Sequence, residues 1–274
     1  MEYRLFLTVI ALFIGASIGS FLNVLIHRVP LGESVMYPPS SCPQCGNRLR
    51  WYHNLPLLSW IFLKGRCAFC GEPISIRYPL VELTGAAIFG IVVYKNPSAD
   101  SFVIALGFSL IAALALIDLK YKAVPDSINI SALFLFIAGA PHIMEALQNA
   151  LLFAGGFSLL RITVGFYVSL KEEFRLKKRV KEAPWLKSYF KIPPNVEALG
   201  EGDIPIAAAI GALLGIKAGI FALFLAALLA IFVSILSRKK NPELPFIPFL
   251  GLSMFIVYIF DENVTNLLEY LLHG

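Results

Sequence analysis

Apolar residues fall into eight blocks along the chain, at about 5–26, 79–95, 101–117, 127–143, 148–169, 204–216, 218–236 and 246–260, the sixth being short. Most run to roughly 17–25 residues, the length that crosses a bilayer core as a helix. The pattern predicts an all-α membrane protein with about eight transmembrane helices. The first block has the position of a secretory signal peptide. Its n-region carries one Arg, its apolar stretch runs about 22 residues and no small-x-small cleavage site follows, so it reads as a retained helix. Two polar inserts interrupt the blocks, at 27–78 and 170–203, and there is no internal repeat or low-complexity tract. The expected organisation is a first helix over 1–26, a loop domain over 27–78 and a seven-helix membrane domain over 79–274 carrying the insertion 170–203.

Composition agrees with lipid as the solvent. The 274 residues are 58% hydrophobic and only 15% charged, with a mean hydropathy of +0.75, whereas soluble domains carry about 25% charge. Basic residues set the orientation, because cytoplasmic loops are enriched in Lys and Arg. With the N-terminus outside, the segments 27–78, 118–126, 170–203 and 237–245 are cytoplasmic and hold 6, 2, 8 and 3 of the 23 basic residues. Arg4, Lys95 and Lys217 are left outside, and Arg161 falls within a helix, where an acidic or carbonyl partner is expected. The net charge of +5 then reflects topology and attraction to anionic lipid, and nucleic acid is not an expected partner. The second insert opens on KEEFRLKKRVKEAPW, read either as a solvated basic loop or as a helix leaving the membrane and stopped before Pro184.

The first insert holds all four cysteines, as Cys42-Pro-Gln-Cys45 and Cys67-Ala-Phe-Cys70, each pair followed by glycine, Gly46 and Gly71. Two such turns aim four thiolates at one ion, and four protein ligands leave no open position for water, so a structural zinc is expected. Disulfides are disfavoured because the loop is placed in the reducing cytoplasm. Between the pairs, His53-Asn54-Leu55-Pro56 and Ser59-Trp60 read as a substrate-facing surface or as an amphipathic segment against the bilayer.

Acids near membrane segments are costly, about 2.5–3.5 kcal/mol for an ionised Asp at a helix centre, and tend to be functional or paired. The candidates are Glu82, Asp118, Asp126, Glu197, Glu201 and Asp203. Asp118 closes the third block and Asp203, in Gly200-Glu201-Gly202-Asp203, opens the sixth, so the assigned topology puts both at the cytoplasmic interface. Helix capping for Asp203 and a helix-end charge facing Lys120 or Lys122 for Asp118 are the bland alternatives. Two carboxylates brought together cannot both ionise easily, and such a pair can serve as acid and base on one water. That is aspartyl-protease chemistry. Asp126, eight residues from Asp118, remains an alternative partner on this reasoning. There is no H-E-x-x-H and no G-x-S-x-G.

Taken together, several motifs resemble the type IV prepilin peptidase family. They are Gly19-Ser-Phe-Leu-Asn-Val24 with Arg28-Val-Pro30, the two cysteine pairs, Asn54-Leu-Pro56 with Ser59-Trp60, Tyr78-Pro79 with Glu82, Ile117-Asp118 with Val124-Pro-Asp126, and Glu197-Ala-Leu-Gly-Glu-Gly-Asp203. Their order and spacing span most of the chain. The resemblance implies an intramembrane aspartyl endopeptidase of the GxGD type in a bacterial inner membrane, with Asp118 and Asp203 rather than Asp126 as the catalytic pair. It implies prepilin or pseudopilin substrates cut after Gly at the cytoplasmic face, and S-adenosylmethionine as the donor if the new N-terminus is then methylated. Two departures stand out. Pro205 occupies the position where family members commonly have Lys, and the segment 165–199 is longer than usual. Competing readings are a GxGD peptidase for other membrane signal peptides and a transporter with membrane carboxylates, which predicts acids near the midplane. Gly15 and Gly19 form a G-x-x-x-G read as helix packing rather than a substrate groove, and Asn23 and His27, on one helical face, read as interhelical hydrogen-bonding groups.

Overall fold

The computed structural model describes residues 2–182, 200–236 and 244–273. Every apolar block is helical. The elements are α1 (Glu2–Arg28), the short α2 (Leu58–Phe62), α3 (Arg77–Lys95), α4 (Ala99–Tyr121), α5 (Asp126–Ala138), α6 (Ile143–Glu182), α7 (Asp203–Leu236), α8 (Ile247–Ile259) and α9 (Asp261–His273). The sixth and seventh blocks are joined in α7 across a break at Gly215, whose φ of 71° is open to glycine and strained for other residues. By length and composition α1, α3, α4, α6 and α7 each suffice to cross a membrane; α8 and α9 qualify only together and are bent by 86°, while α5 is a shorter apolar helix.

Helix α4 lies at the centre, packed on α1, α3, α5 and α8, while α7 packs on α5, α6, α8 and α9. Phe108 of α4 meets the rings of Phe136 and Phe255 edge-on, each with centroids 5.0 Å away. Large side chains that point away from this core, such as Leu151, Leu152, Ile162 and Phe166 on α6, are exposed. A polar face on such a helix would be expected in water; here the outer surface is apolar, as a lipid solvent requires.

The paired glycines act in packing. A Cβ on Gly15 would lie 2.4 Å from the Gly85 carbonyl oxygen, and one on Gly19 would lie 2.6 Å from the Glu82 Cα, so α1 and α3 touch backbone to backbone. Asn23 adds an interhelical bond, its Nδ2 donating to the Tyr78 carbonyl at 3.2 Å, whereas His27 is exposed. We expect Gly85→Leu to separate the two helices and to cost about 1–3 kcal/mol or more by overpacking, read as a lower unfolding midpoint in detergent.

Helix α6 continues through Lys171 to Glu182, so the start of the second insert is helical rather than a loop. The remainder of that insert, with Pro184 and Glu197, lies outside the described residues.

Candidate active site

Asp118 sits in the last turn of α4, where Lys122 ends the helix in the left-handed region and its N–H bonds back to the Asp118 carbonyl at 2.9 Å. Asp203 is the first residue of α7. Both are buried, 7% and 6% exposed, and the charge of Asp118 acts on Asp203. Asp126, in the first turn of α5, is exposed. The start of α8 supplies the Asp118 carboxylate with a donor, the Ile247 N–H at 3.3 Å from Oδ2. The Gly200 amide serves the Asp203 carboxylate. Three helix ends, those of α4, α7 and α8, therefore meet at two carboxylates whose sequence separation is 85 residues.

The turn before Asp203 is held from two sides. Gly202 lies against Val124 in the α4–α5 connection, where a Cβ would stand 2.6 Å from the Val124 Cβ, so only glycine lets the turn come this close. Asn129 of α5, 1% exposed, donates Nδ2 to the Gly202 carbonyl at 2.7 Å. Its Oδ1 is buried with no partner among the described residues. On the outer side, Arg161 of α6 pairs with Glu201 at 2.7 Å, which supplies the acidic partner expected for an arginine inside a helix. The pairing follows from helix length: Arg161 is 18 residues beyond the start of α6, about 27 Å along its axis, level with the first turn of α7. Asn129 and Arg161 are the site neighbours that sequence reasoning did not assign. The only signal for Asn129 was an amide inside the apolar block 127–143. We expect Asn129→Leu, which leaves the Gly202 carbonyl without a donor, to lower kcat about 5- to 150-fold, the equivalent of about 1–3 kcal/mol, with KM little changed.

The four cysteines converge as expected. All are free, and their sulfur atoms lie within 4.8 Å of one another. Each pair is the same knuckle: Cys42 and Cys67 N–H groups bond to Asn47 and Glu72, and Gly46 and Gly71 N–H groups bond back to Cys42 and Cys67. Both glycines have positive φ, 69° and 74°. Cys42 and Cys70 sulfurs are 3.9 Å apart, close to the roughly 3.8 Å edge of a tetrahedron with Zn–S bonds of about 2.3 Å and far from a disulfide. Backbone N–H groups of Cys70 and Phe69 lower the Cys67 thiol, while burial and the neighbouring sulfurs of Cys67, Cys45 and Cys42 raise that of Cys70, so without an ion the crowded thiols share protons that a metal would displace. The donor set and its geometry fit zinc.

Within the same loop domain, His53 meets the rings of Tyr52 and Phe69 edge-on, and Trp60 packs over Gly65 with Nε1 donating to the Ile74 carbonyl at 3.3 Å. Both rings pack within the domain, while Leu58, Ile61 and Phe62 of α2 are exposed. Glu82 does not join the aspartates. Its Oε2 accepts the Leu57 N–H at 2.7 Å and so ties the loop domain to α3.

Residues 13–96 match the bacterial peptidase A24 N-terminal domain, and residues 105–235 match the type IV leader peptidase family. The chain is 31% identical to a prepilin leader peptidase/N-methyltransferase of Dichelobacter nodosus, over 92% of this chain and 91% of that one. It is 39% identical to a protein of the same name from Myxococcus xanthus over 81% of this chain and 61% of that longer one, and 36% identical to one from Klebsiella pneumoniae over 74% and 83%. No solved structure matches. With both segments matched in order and a relative aligned almost end to end, the chain belongs to the type IV leader peptidase family.

Proposed function

We propose that this protein removes the leader from type IV prepilins and pseudopilins with Asp118 and Asp203, and then methylates the N-terminus it has exposed. The observation that carries the peptidase is the meeting of these two buried carboxylates, from segments 85 residues apart, at one end of the helix bundle. One carboxylate, ionised, takes a proton from a water whose oxygen attacks the scissile carbonyl carbon. The other, protonated, hydrogen-bonds and then protonates the carbonyl oxygen to give a gem-diol; on collapse the C–N bond breaks, the amine leaves with the proton held by the first carboxyl, and one diol hydroxyl returns its proton to the second as the product acid forms. The Ile247 and Gly200 amides orient the carboxylates, and the packed helix ends keep bulk water from the pair.

Nineteen of the 23 basic residues lie in the segments assigned to the cytoplasm, which supports cleavage at the cytoplasmic face of a bacterial inner membrane. Cys42, Cys45, Cys67 and Cys70 would hold a structural zinc, which would cross-link the two halves of the loop domain. Methyl transfer draws on S-adenosylmethionine, which supplies an electrophilic methyl group. The names of the aligned relatives support both activities.

The test is incubation of the purified chain in detergent with a synthetic prepilin N-terminal segment, with and without S-adenosylmethionine, read by mass. Cleavage after Gly, with one added methyl only when the donor is present, is the expected result. An uncut peptide would sink the peptidase, and cleavage without the methyl would leave the peptidase alone.

A further inference from the structure

The loop domain is joined to the helix bundle at both ends, by α1 and by α3, and a third attachment lies between them. The Leu57 N–H donates to Glu82 Oε2 at 2.7 Å, and Ser20 of α1 also bonds this carboxylate, whose residue is 8% exposed. The depth of that attachment follows from how the two helices pack. A Cβ on Gly19 would stand 2.6 Å from the Glu82 Cα, so the two residues share a level. From there α1 runs on to Arg28, about 13.5 Å along its axis. Helix α3 begins at Arg77, about 7.5 Å before Glu82. Although the Glu82 side chain leans toward the start of α3, the Leu57 amide still lies short of the end of α1. The helix surface at this level is apolar, with Phe21, Leu80 and Leu83 exposed. The strap 54–57 therefore dips to a depth that lipid covers.

Helix α2 starts at this attachment and has two unlike faces. Its inner face belongs to the domain. The Ser59 hydroxyl donates to the Leu55 carbonyl, and the Trp60 ring covers Gly65 while its Nε1 donates to the Ile74 carbonyl. Leu58, Ile61 and Phe62 are spaced i, i+3, i+4 and so share the other face, where they are 49%, 63% and 80% exposed. A contiguous apolar cluster of this kind marks an interaction surface. Trp51 is exposed in the preceding 3₁₀ turn, and the exposed Lys64 and Arg66 follow the helix. Aromatic rings and basic side chains beside an apolar face are the composition of a segment lying among lipid headgroups. Residues 27–78 carry six basic side chains against two acidic ones, Glu33 and Glu72, which complements an anionic surface.

We propose that the outward face of α2 docks the loop domain on the lipid leaflet beside α1 and α3, with Leu58, Ile61 and Phe62 at the acyl boundary and Trp51, Lys64 and Arg66 among anionic headgroups. The partner is the bilayer rather than a protein, because the face starts from a point tied inside the end of α1, at a level where α1 and α3 themselves present apolar side chains outward. Docking takes three apolar side chains out of water and adds a third attachment to the two chain connections, which fixes the height and tilt of the domain over the membrane. The leaflet thereby supplies the apolar environment for α2 that so small a domain does not provide itself.

The experiment uses the full chain in nanodiscs of phosphatidylethanolamine and phosphatidylglycerol, with the photoreactive substitution Phe62→p-benzoylphenylalanine. Irradiation should join position 62 to phospholipid, read as a mass increase of the peptide that carries it, whether or not a synthetic prepilin segment is present. Trypsin cleavage after Lys64 is the second readout, and it should be at least about tenfold slower in these nanodiscs than in nanodiscs of phosphatidylcholine alone. Combining Ile61→Ser with Phe62→Ser should remove that protection while leaving the unfolding midpoint in detergent unchanged, since both side chains are exposed. A crosslink to the prepilin segment or to a second copy of the chain in place of lipid makes the face a protein-docking surface and overturns the proposal, as does a photolysed protein with no lipid adduct at position 62. Cleavage after Lys64 that is equally fast in both lipids overturns the anionic partner.

Discussion

Asp118→Asn and Asp203→Asn should each abolish detectable cleavage of a prepilin segment, a loss on the order of 10³-fold or more, because each removes one half of a proton relay whose parts act together. The amide keeps the shape of the carboxylate but neither takes a proton from water nor gives one to the carbonyl oxygen. For the same reason the double variant should be no worse than either single one, since groups that act as a unit are not additive. Asp126→Asn should retain activity, because that side chain is exposed while the pair is buried. The bland alternative makes Asp118 a fixture of the α8 start through the Ile247 amide and Asp203 a helix cap. It predicts lower unfolding midpoints in both variants with cleavage preserved in the fraction that stays folded. Cleavage of the synthetic segment by mass, beside a thermal melt in detergent, separates the two. Activity within tenfold of wild type in either variant would remove that aspartate from the chemistry.

The short list of edge acids was legible in the sequence because a charge at the edge of an apolar block is costly unless it has a task, but that argument left Asp126 open, and the choice of Asp118 with Asp203 came from the family resemblance. What surrounds them was not. Arg161 was expected to have an acidic or carbonyl partner, but finding it in Glu201 needed the level at which α6 passes the first turn of α7, a tertiary fact. Asn129 was invisible because one amide in an apolar block has many uses, and only its 2.7 Å bond to the Gly202 carbonyl assigns this one. The GxGD glycines show the same division. Their freedom to approach another chain was readable, whereas the chain that Gly202 approaches, at Val124, is set by how α4 turns into α5. Helix α9 was missed for a different reason. The last apolar block ends near Phe260, and the 86° bend there leads into a helix with buried Val264 and an otherwise largely exposed surface, a pattern too polar to register as a span. Conversely, the cysteine knuckles were almost fully legible, since C-x2-C followed by glycine specifies both the ligands and the positive-φ turn that aims them.

Those knuckles carry the second large effect. The purified chain should contain about one zinc, and Cys42→Ser or Cys67→Ser should lose it along with the fold of the loop domain. The reason lies in what else holds residues 41–73 together. Their regular structure amounts to a 3₁₀ turn, the five-residue α2 and two isolated bridges, Ser41 with Arg48 and Arg66 with Pro73. Trp51, Ile61 and Phe62 are exposed, so little apolar area is buried within the domain. Structural zinc contributes about 10–16 kcal/mol in comparably small units, strongly dependent on pH because the thiols must ionise. A domain with so small a core depends on that contribution. The loop domain is tied to α3 through Glu82, whereas Asp118 and Asp203 rest on α4, α7 and α8. Chelation of the metal should therefore unfold the loop domain, read by limited proteolysis, while prepilin cleavage persists at a reduced rate. Complete loss of cleavage would place the loop domain in the path of that reaction, and a metal-free, reduced protein whose loop domain stays protease-resistant would show that the four thiols suffice without an ion.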